Sequence, residues 1–432
     1  MKKFALFFIL IITLSNITKA QKDTASEFYN YFTNQQLRID YIRVGNADTE
    51  MLFLYQIKKE PYWGGPHKNL ISPFNYGKYK ISLYDSISNK LLFCKTYNTL
   101  FGEWRRSPEA KTIPKAFYES VVMPFPKKTV KLVFERRDFY TGKYKTEYKL
   151  FINPNDSQII KDRPFHFKTE KLIYNGAPSN HLDIAFIAEG YTKKQLKKFK
   201  KDAIAQAKYM LSIEPFASMK KDINFYAIYS ISEESGTDIP QDSIWKNTIL
   251  SSHFNTFKID RYLTIGNIKT MYDIASLVPY DQIMVIVNTP KYGGAGFYNF
   301  YNVTVSDNPE GKKVMVHEFG HGFGGLGDEY GYSDPANQNF YNLNLEPPEP
   351  NLTTLVNFKS KWENMVDKGV PIPTPPIDKY KNVVGAFEGA GYLSKGIYRP
   401  QYTCIMRKLD PPIFCKVCKK VLKDMINFYS DR

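Results

Sequence analysis

The chain's architecture turns on the stretch Val314–Pro335, VMVHEFGHGFGGLGDEYGYSDP. His317 and His321 stand four apart, so on a helix they share one face with Cβ atoms roughly 6 Å from each other, and both imidazoles can reach one metal ion. Glu318 lies beside the pair, where a carboxylate can take the proton of a metal-held water. The preceding KKVMV supplies apolar residues that can bury such a helix and fix the ligand rotamers. A zinc ion that keeps one position open for water needs a third protein ligand. Asp328 is the first candidate, a short carboxylate on a return loop bent by Gly324, Gly325 and Gly327, and Glu329 is the second. The alternative is that both acids only cap the loop and a distant carboxylate serves.

Working outward, the chain has 432 residues, 43% hydrophobic and 16% aromatic, which is enough for two domains with separate cores and excludes a disordered protein. Residues 1–20, MKKFALFFILIITLSNITKA, have the layout of a secretory signal peptide cleaved near Ala20. No later segment is apolar for long enough to suggest membrane insertion. The expected location is therefore secreted or periplasmic. The net charge of +16 is dispersed, and its densest run, Thr192–Asp202, reads as the solvated face of a helix; nucleic acid is not an expected partner. Of four cysteines, Cys404, Cys415 and Cys418 cluster while Cys94 stands apart. In an exported protein this predicts one disulfide within the cluster; the rival, a thiolate zinc site, lacks a fourth nearby sulfur or histidine.

From about Asp40 to Asn153, short alternating or β-branched segments such as EMLFLYQI, YKISLYDS and TVKLVFERR are punctuated by Gly, Pro and Asn, the pattern of an antiparallel β-sandwich. INPNDSQIIKDRPFHF reads as a linker. Beyond it, the apolar strand Ile184–Ala188, a capping box from Thr192 to Gln195, and the strands in INFYAIYSI and DQIMVIVNT indicate an α/β domain. The expected organisation is a signal peptide over 1–20, an N-terminal β-sandwich over 21–160 and a catalytic domain over 161–432. His67, His166, His181 and His253 read as surface or packing residues.

HEFGHGFGGLGDEY resembles the signature of the IgA peptidase family of zinc metallopeptidases. AEGYT at Ala188–Thr192, SGTD at Ser235–Asp238, YRPQYTCIM at Tyr398–Met406 and FCKVC at Phe414–Cys418 extend the likeness over nearly the whole mature chain. The resemblance implies a β-domain followed by a metzincin-like domain, with zinc on His317 and His321 and Glu318 as catalytic base. In the metzincin pattern Gly324 is the glycine at which the chain leaves the helix, and Gly327 stands where a third histidine is usual. Met406 is the candidate for the methionine turn beneath the metal, and Tyr398 and Arg399, just before it, are candidates for substrate binding or oxyanion support. Tyr292–Phe300, YGGAGFYNF, reads either as a cleft strand whose glycines allow close approach or as a flexible loop.

These features predict an exported zinc endopeptidase acting on a protein or glycoprotein. Two other readings remain: an adhesin or glycan-binding protein with a structural metal, and a zinc hydrolase of amides in cell-wall peptides or glycoconjugates.

Overall fold

The computed structural model describes residues 24–331 and 340–430, so the leader expected over 1–20 lies outside the described residues. After helix α1 (Thr24–Tyr31) come β1 (Phe32–Gly45), β2 (Glu50–Glu60), β3 (Tyr79–Asp85), β4 (Leu91–Tyr97), the short helix α2 (Leu100–Trp104), β5 (Lys115–Pro126), β6 (Val130–Arg137) and β7 (Tyr144–Ile152). They form two antiparallel sheets, ordered β2-β1-β5 and β4-β3-β6-β7. Alternate residues of the strands, Leu37, Ile39 and Tyr41 on β1, Ile81 and Leu83 on β3, Leu132 and Phe134 on β6, turn into one shared core. Period-two burial of this kind closes a sandwich.

Residues 153–168 lead to the second domain, whose strands are β8 (Thr169–Ile173), β9 (Leu182–Glu189), β10 (Ile223–Ile228), the pair β11 (Ser252–His253) and β12 (Thr264–Ile265), β13 (Gln282–Val287), β14 (Ala295–Phe297), β15 (Tyr301–Val305), and the hairpin β16 (Phe387–Ala390) and β17 (Leu393–Arg399). The main sheet runs β14-β15-β13-β9-β10-β8. Its four central strands are parallel, and the edges β14 and β8 are antiparallel to their neighbours. Strands β9, β10 and β13 are buried at every position, because helices and loops cover both faces. On one face Ile184 and Phe186 meet α3 (Leu196–Met210), α5 (Gly311–Gly322) and α6 (Lys416–Ser430); on the other, Ala185 and Ile187 meet α4 (Ile268–Ala275) and the first domain. The predicted capping box is formed, with Gln195 Oε1 accepting from the Thr192 amide at 3.0 Å.

A buried ionic cluster joins the domains. Arg38 on β1 pairs with Asp40 at 2.9 Å, Glu60 at 2.6 Å and, across the boundary, Asp273 of α4 at 2.8 Å. Lys58 adds a second bond to Asp273, also at 2.8 Å. Satisfying each charge several times offsets the cost of taking it out of water. Among the described residues, no helix is long and apolar enough to cross a membrane.

The cysteine expectation needs correcting. Cys94, Cys404, Cys415 and Cys418 are all free thiols. Cys404 and Cys418 approach to 3.8 Å without a bond, because the sulfurs gather around the carboxylate of Glu329 instead of pairing.

Candidate active site

Helix α5 carries both histidines toward the cleft. Met315, Val316 and Phe319 bury its opposite side in the sheet core. Its end is built from glycines: the Gly325 and Leu326 amides fold back onto the His321 and Gly320 carbonyls at 3.0 and 3.1 Å, and Gly325 takes a left-handed φ of 60°. This turn delivers the Leu326 carbonyl to His321 Nδ1 at 2.6 Å, while the Ile405 carbonyl meets His317 Nδ1 at 3.0 Å. A carbonyl can only accept, so each Nδ1 carries the proton and each Nε2 presents a lone pair.

Those lone pairs converge. His317 Nε2 and His321 Nε2 lie 3.1 Å apart, and Asp328 Oδ1 is 3.3 and 3.4 Å from them. Zinc bonds of about 2.0–2.2 Å give a tetrahedral edge of about 3.3–3.6 Å, and the three donor atoms come within about 0.2 Å of the short end of that spacing. Asp328 Oδ2 accepts from Tyr330 at 2.9 Å and Tyr392 at 2.7 Å, while Oδ1 is buried and receives no hydrogen bond. An orphaned carboxylate oxygen facing two imidazole lone pairs fits a cation between them. Electrostatics agree. Burial disfavours charged imidazole, yet Asp328 and Glu318 outweigh it, raising His317 above its usual range and His321 to about 10, so the pocket draws positive charge, which a metal ion would supply in place of the proton on Nε2.

Glu329, the other candidate for third ligand, faces away. It is fully buried, with Oε1 accepting from Asn351 Nδ2 at 3.0 Å, and its backbone amide donates to the Met406 carbonyl at 2.8 Å. Asn351 also clasps the loop through Gly327, its Oδ1 accepting from that amide at 2.7 Å and its Nδ2 donating to that carbonyl at 2.9 Å.

Glu318 is half-buried beside the triad. Burial first, and then the Asp328 charge, raise its pKa against the pull of His317, His321 and Arg261. A carboxylate tuned upward is better matched to taking a proton near neutral pH. Met406 packs beneath the helix: a Cβ on Gly320 would come within 2.6 Å of its Sδ. It sits in a tight turn closed by the Arg407 amide on the Cys404 carbonyl at 3.0 Å.

Tyr398 and Arg399 lie on β17. Tyr398 is half-buried and turned toward Glu388, and buried Arg399 donates through Nη1 to the carbonyls of Glu388 and Gly389. The tyrosines that meet the Asp328 carboxylate are Tyr330 and Tyr392. Tyr330 belongs to the quoted motif, but GAGYLSKG carries no signal for Tyr392, which the β16–β17 turn brings in. The glycines of YGGAGF do permit close approach, to the protein itself: a Cβ on Gly296 would stand 2.2 Å from the Glu318 carbonyl oxygen, and one on Gly293 2.3 Å from that of Arg261. Sequence reasoning also missed Glu103, on α2 of the first domain. It accepts a hydrogen bond from Tyr262, and burial raises its carboxyl to about 7 within the field of His321, Asp328 and Glu318.

Two family profiles match the chain. One, described as IgA Peptidase M64, covers residues 171–382 and 376–426; the other, Peptidase M64 N-terminus, covers residues 27–148. The chain belongs to the IgA peptidase M64 family. No curated protein matches it. The two M64 profiles fall on the two domains described above, and the triad of this M64 peptidase lies within the first of them.

Proposed function

We propose that the chain is an exported zinc-dependent endopeptidase with His317, His321 and Asp328 as metal ligands and Glu318 as general base. The observation carrying this reading is the triangle of donor atoms with edges of 3.1, 3.3 and 3.4 Å, whose carboxylate oxygen is otherwise unpartnered. When bound, a zinc ion supplies Lewis-acid chemistry, acidifying a water toward neutrality and polarising a carbonyl.

The residues of the chain do the rest. Glu318 takes the proton from the attacking water and returns it to the departing amine, restoring its own carboxylate. Leu326 and Ile405 hold the imidazoles with Nε2 inward, and Tyr330 and Tyr392 hold Asp328 so that a single oxygen faces them. β14 lies at the sheet edge against the helix of Glu318, and an extended peptide would add along it, beyond the bridge that Tyr262 makes with Gly294. The binding-protein reading is less well supported, since a structural zinc is normally closed by four protein donors and this group has three. Export rests on the leader over residues 1–20.

The test is Glu318→Gln. The variant is expected to retain its zinc and to lose cleavage across a diverse peptide library read by mass spectrometry. Undiminished proteolysis by that variant refutes the assignment.

A further inference from the structure

A second group of metal-ligating side chains lies behind the Asp328 loop. Cys404, Cys415, Cys418 and Glu329 are all buried, and their donor atoms fall within 4.8 Å of one another. Cys404 Sγ is 3.8 Å from Cys418 Sγ, and Glu329 Oε1 is 3.2 Å from Cys418 Sγ and 3.9 Å from Cys415 Sγ. Around zinc, sulfurs at about 2.3 Å stand about 3.8 Å apart, and a sulfur and a carboxylate oxygen about 3.5 Å apart. The observed separations match the first value and bracket the second.

The surroundings fit an ion as well. Glu329 is fully buried, and its Oε2 has no hydrogen-bond partner among the described residues. The Cys415 amide donates to Cys404 Sγ at 3.3 Å and the Cys418 amide to Cys415 Sγ at 3.4 Å, the N–H···S contacts that a metal-bound sulfur accepts. Cys415 immediately precedes α6, whose N-terminus favours negative charge there.

We propose that Cys404, Cys415, Cys418 and Glu329 bind a second, structural zinc ion. Three soft thiolates select zinc over magnesium or calcium, and four protein donors leave no position for a reacting water. Binding releases the thiol protons as each sulfur–metal bond forms. The consequence for the catalytic site is mechanical. Glu329 adjoins the ligand Asp328, Cys404 opens the turn that carries Met406 and the Ile405 carbonyl of His317, and Cys415 and Cys418 begin α6. One ion would lock these three segments together.

The experiment uses the full mature protein produced with zinc in the medium, and a His317→Ala/His321→Ala variant. Metal analysis is expected to find two zinc ions per wild-type chain and one in the histidine variant. X-ray absorption of that variant should show a sulfur shell at about 2.3 Å. After denaturation and chelation, four reactive thiols are expected. Cys415→Ser/Cys418→Ser should lose the sulfur-bound ion and weaken the remaining zinc roughly ten- to hundredfold; should that pair not fold, the histidine variant still decides. A zinc-free histidine variant, zinc surrounded by nitrogen and oxygen alone, or two thiols consumed in a disulfide each overturns the proposal. A wild-type chain with one sulfur-bound zinc would instead overturn the catalytic assignment and leave this site standing.

Discussion

Exchanging Tyr330 and Tyr392 for phenylalanine tests the support of the proposed catalytic metal without touching a proposed ligand. Each phenol donates to Asp328 Oδ2, at 2.9 and 2.7 Å, and phenylalanine keeps the ring and its packing while deleting that bond. A hydrogen bond to a charged acceptor contributes about 1.5–3 kcal/mol. Independently, losing a partner of a metal ligand costs roughly ten- to hundredfold in metal affinity, or about 1.4–2.7 kcal/mol. The two estimates coincide, so each single variant is expected to bind zinc ten to a hundred times more weakly. The double variant should fall short of the product, because both phenols serve one oxygen and the first loss already frees the carboxylate to rotate. Competition against a fluorescent zinc chelator measures the affinities, and thermal melts of the metal-free forms separate metal loss from unfolding. If the double variant holds zinc as tightly as the wild type while its metal-free melt is unchanged, Asp328 is not a ligand oriented by these phenols.

Three further outcomes follow from other contacts. Arg38→Met should destabilise the protein by about 3–5 kcal/mol in urea titration, because it removes the buried guanidinium that pairs with Asp40, Glu60 and Asp273; a neutral result would mean the cluster contributes nothing. Burial would raise Asp273, but Arg38, Lys269 and Lys58 hold it at about 2, below its ordinary 3.8, a difference of roughly 2–3 kcal/mol. Because the folded value is depressed, that stability is present above about pH 4 and is lost as the pH falls toward 2, so Asp273→Asn should flatten the acid limb of the stability profile, and an unaltered limb refutes it. Gly296→Ala should cost about 1–3 kcal/mol and impair turnover, since the added methyl would press on the Glu318 carbonyl, which is helix backbone and cannot swing aside; unchanged melting and activity would argue against that contact.

How much of this was legible in the sequence depended on distance along the chain. Period-two alternation exposed the sandwich strands because alternate residues of each turn into the shared apolar core, and continuous apolar runs exposed β9 and β13 because both of their faces are covered. His317, Glu318 and His321 could be read as one unit since a single helical turn sets their spacing. Asp328 against Glu329 was harder: adjacent residues differ only in which way the loop turns them, and that depends on Asn351 and on the Met406 carbonyl, both remote in sequence. The thiol cluster was misread for the same reason, its carboxylate lying 86 and 89 positions before two of its sulfurs. Tyr392 and Glu103 were invisible, since a turn and a neighbouring domain bring them in without any local pattern.

The charges shared between Arg38, Lys58 and Asp273 bear on how such chains can be inherited. A recombination event joining this second half to a foreign first half would leave the buried Asp273 with Lys269 in place of three cations, and the hybrid would lose the stability that Arg38 and Lys58 contribute across the seam. The two halves must therefore descend together, and the seam between them is where compensating changes in related chains should be sought.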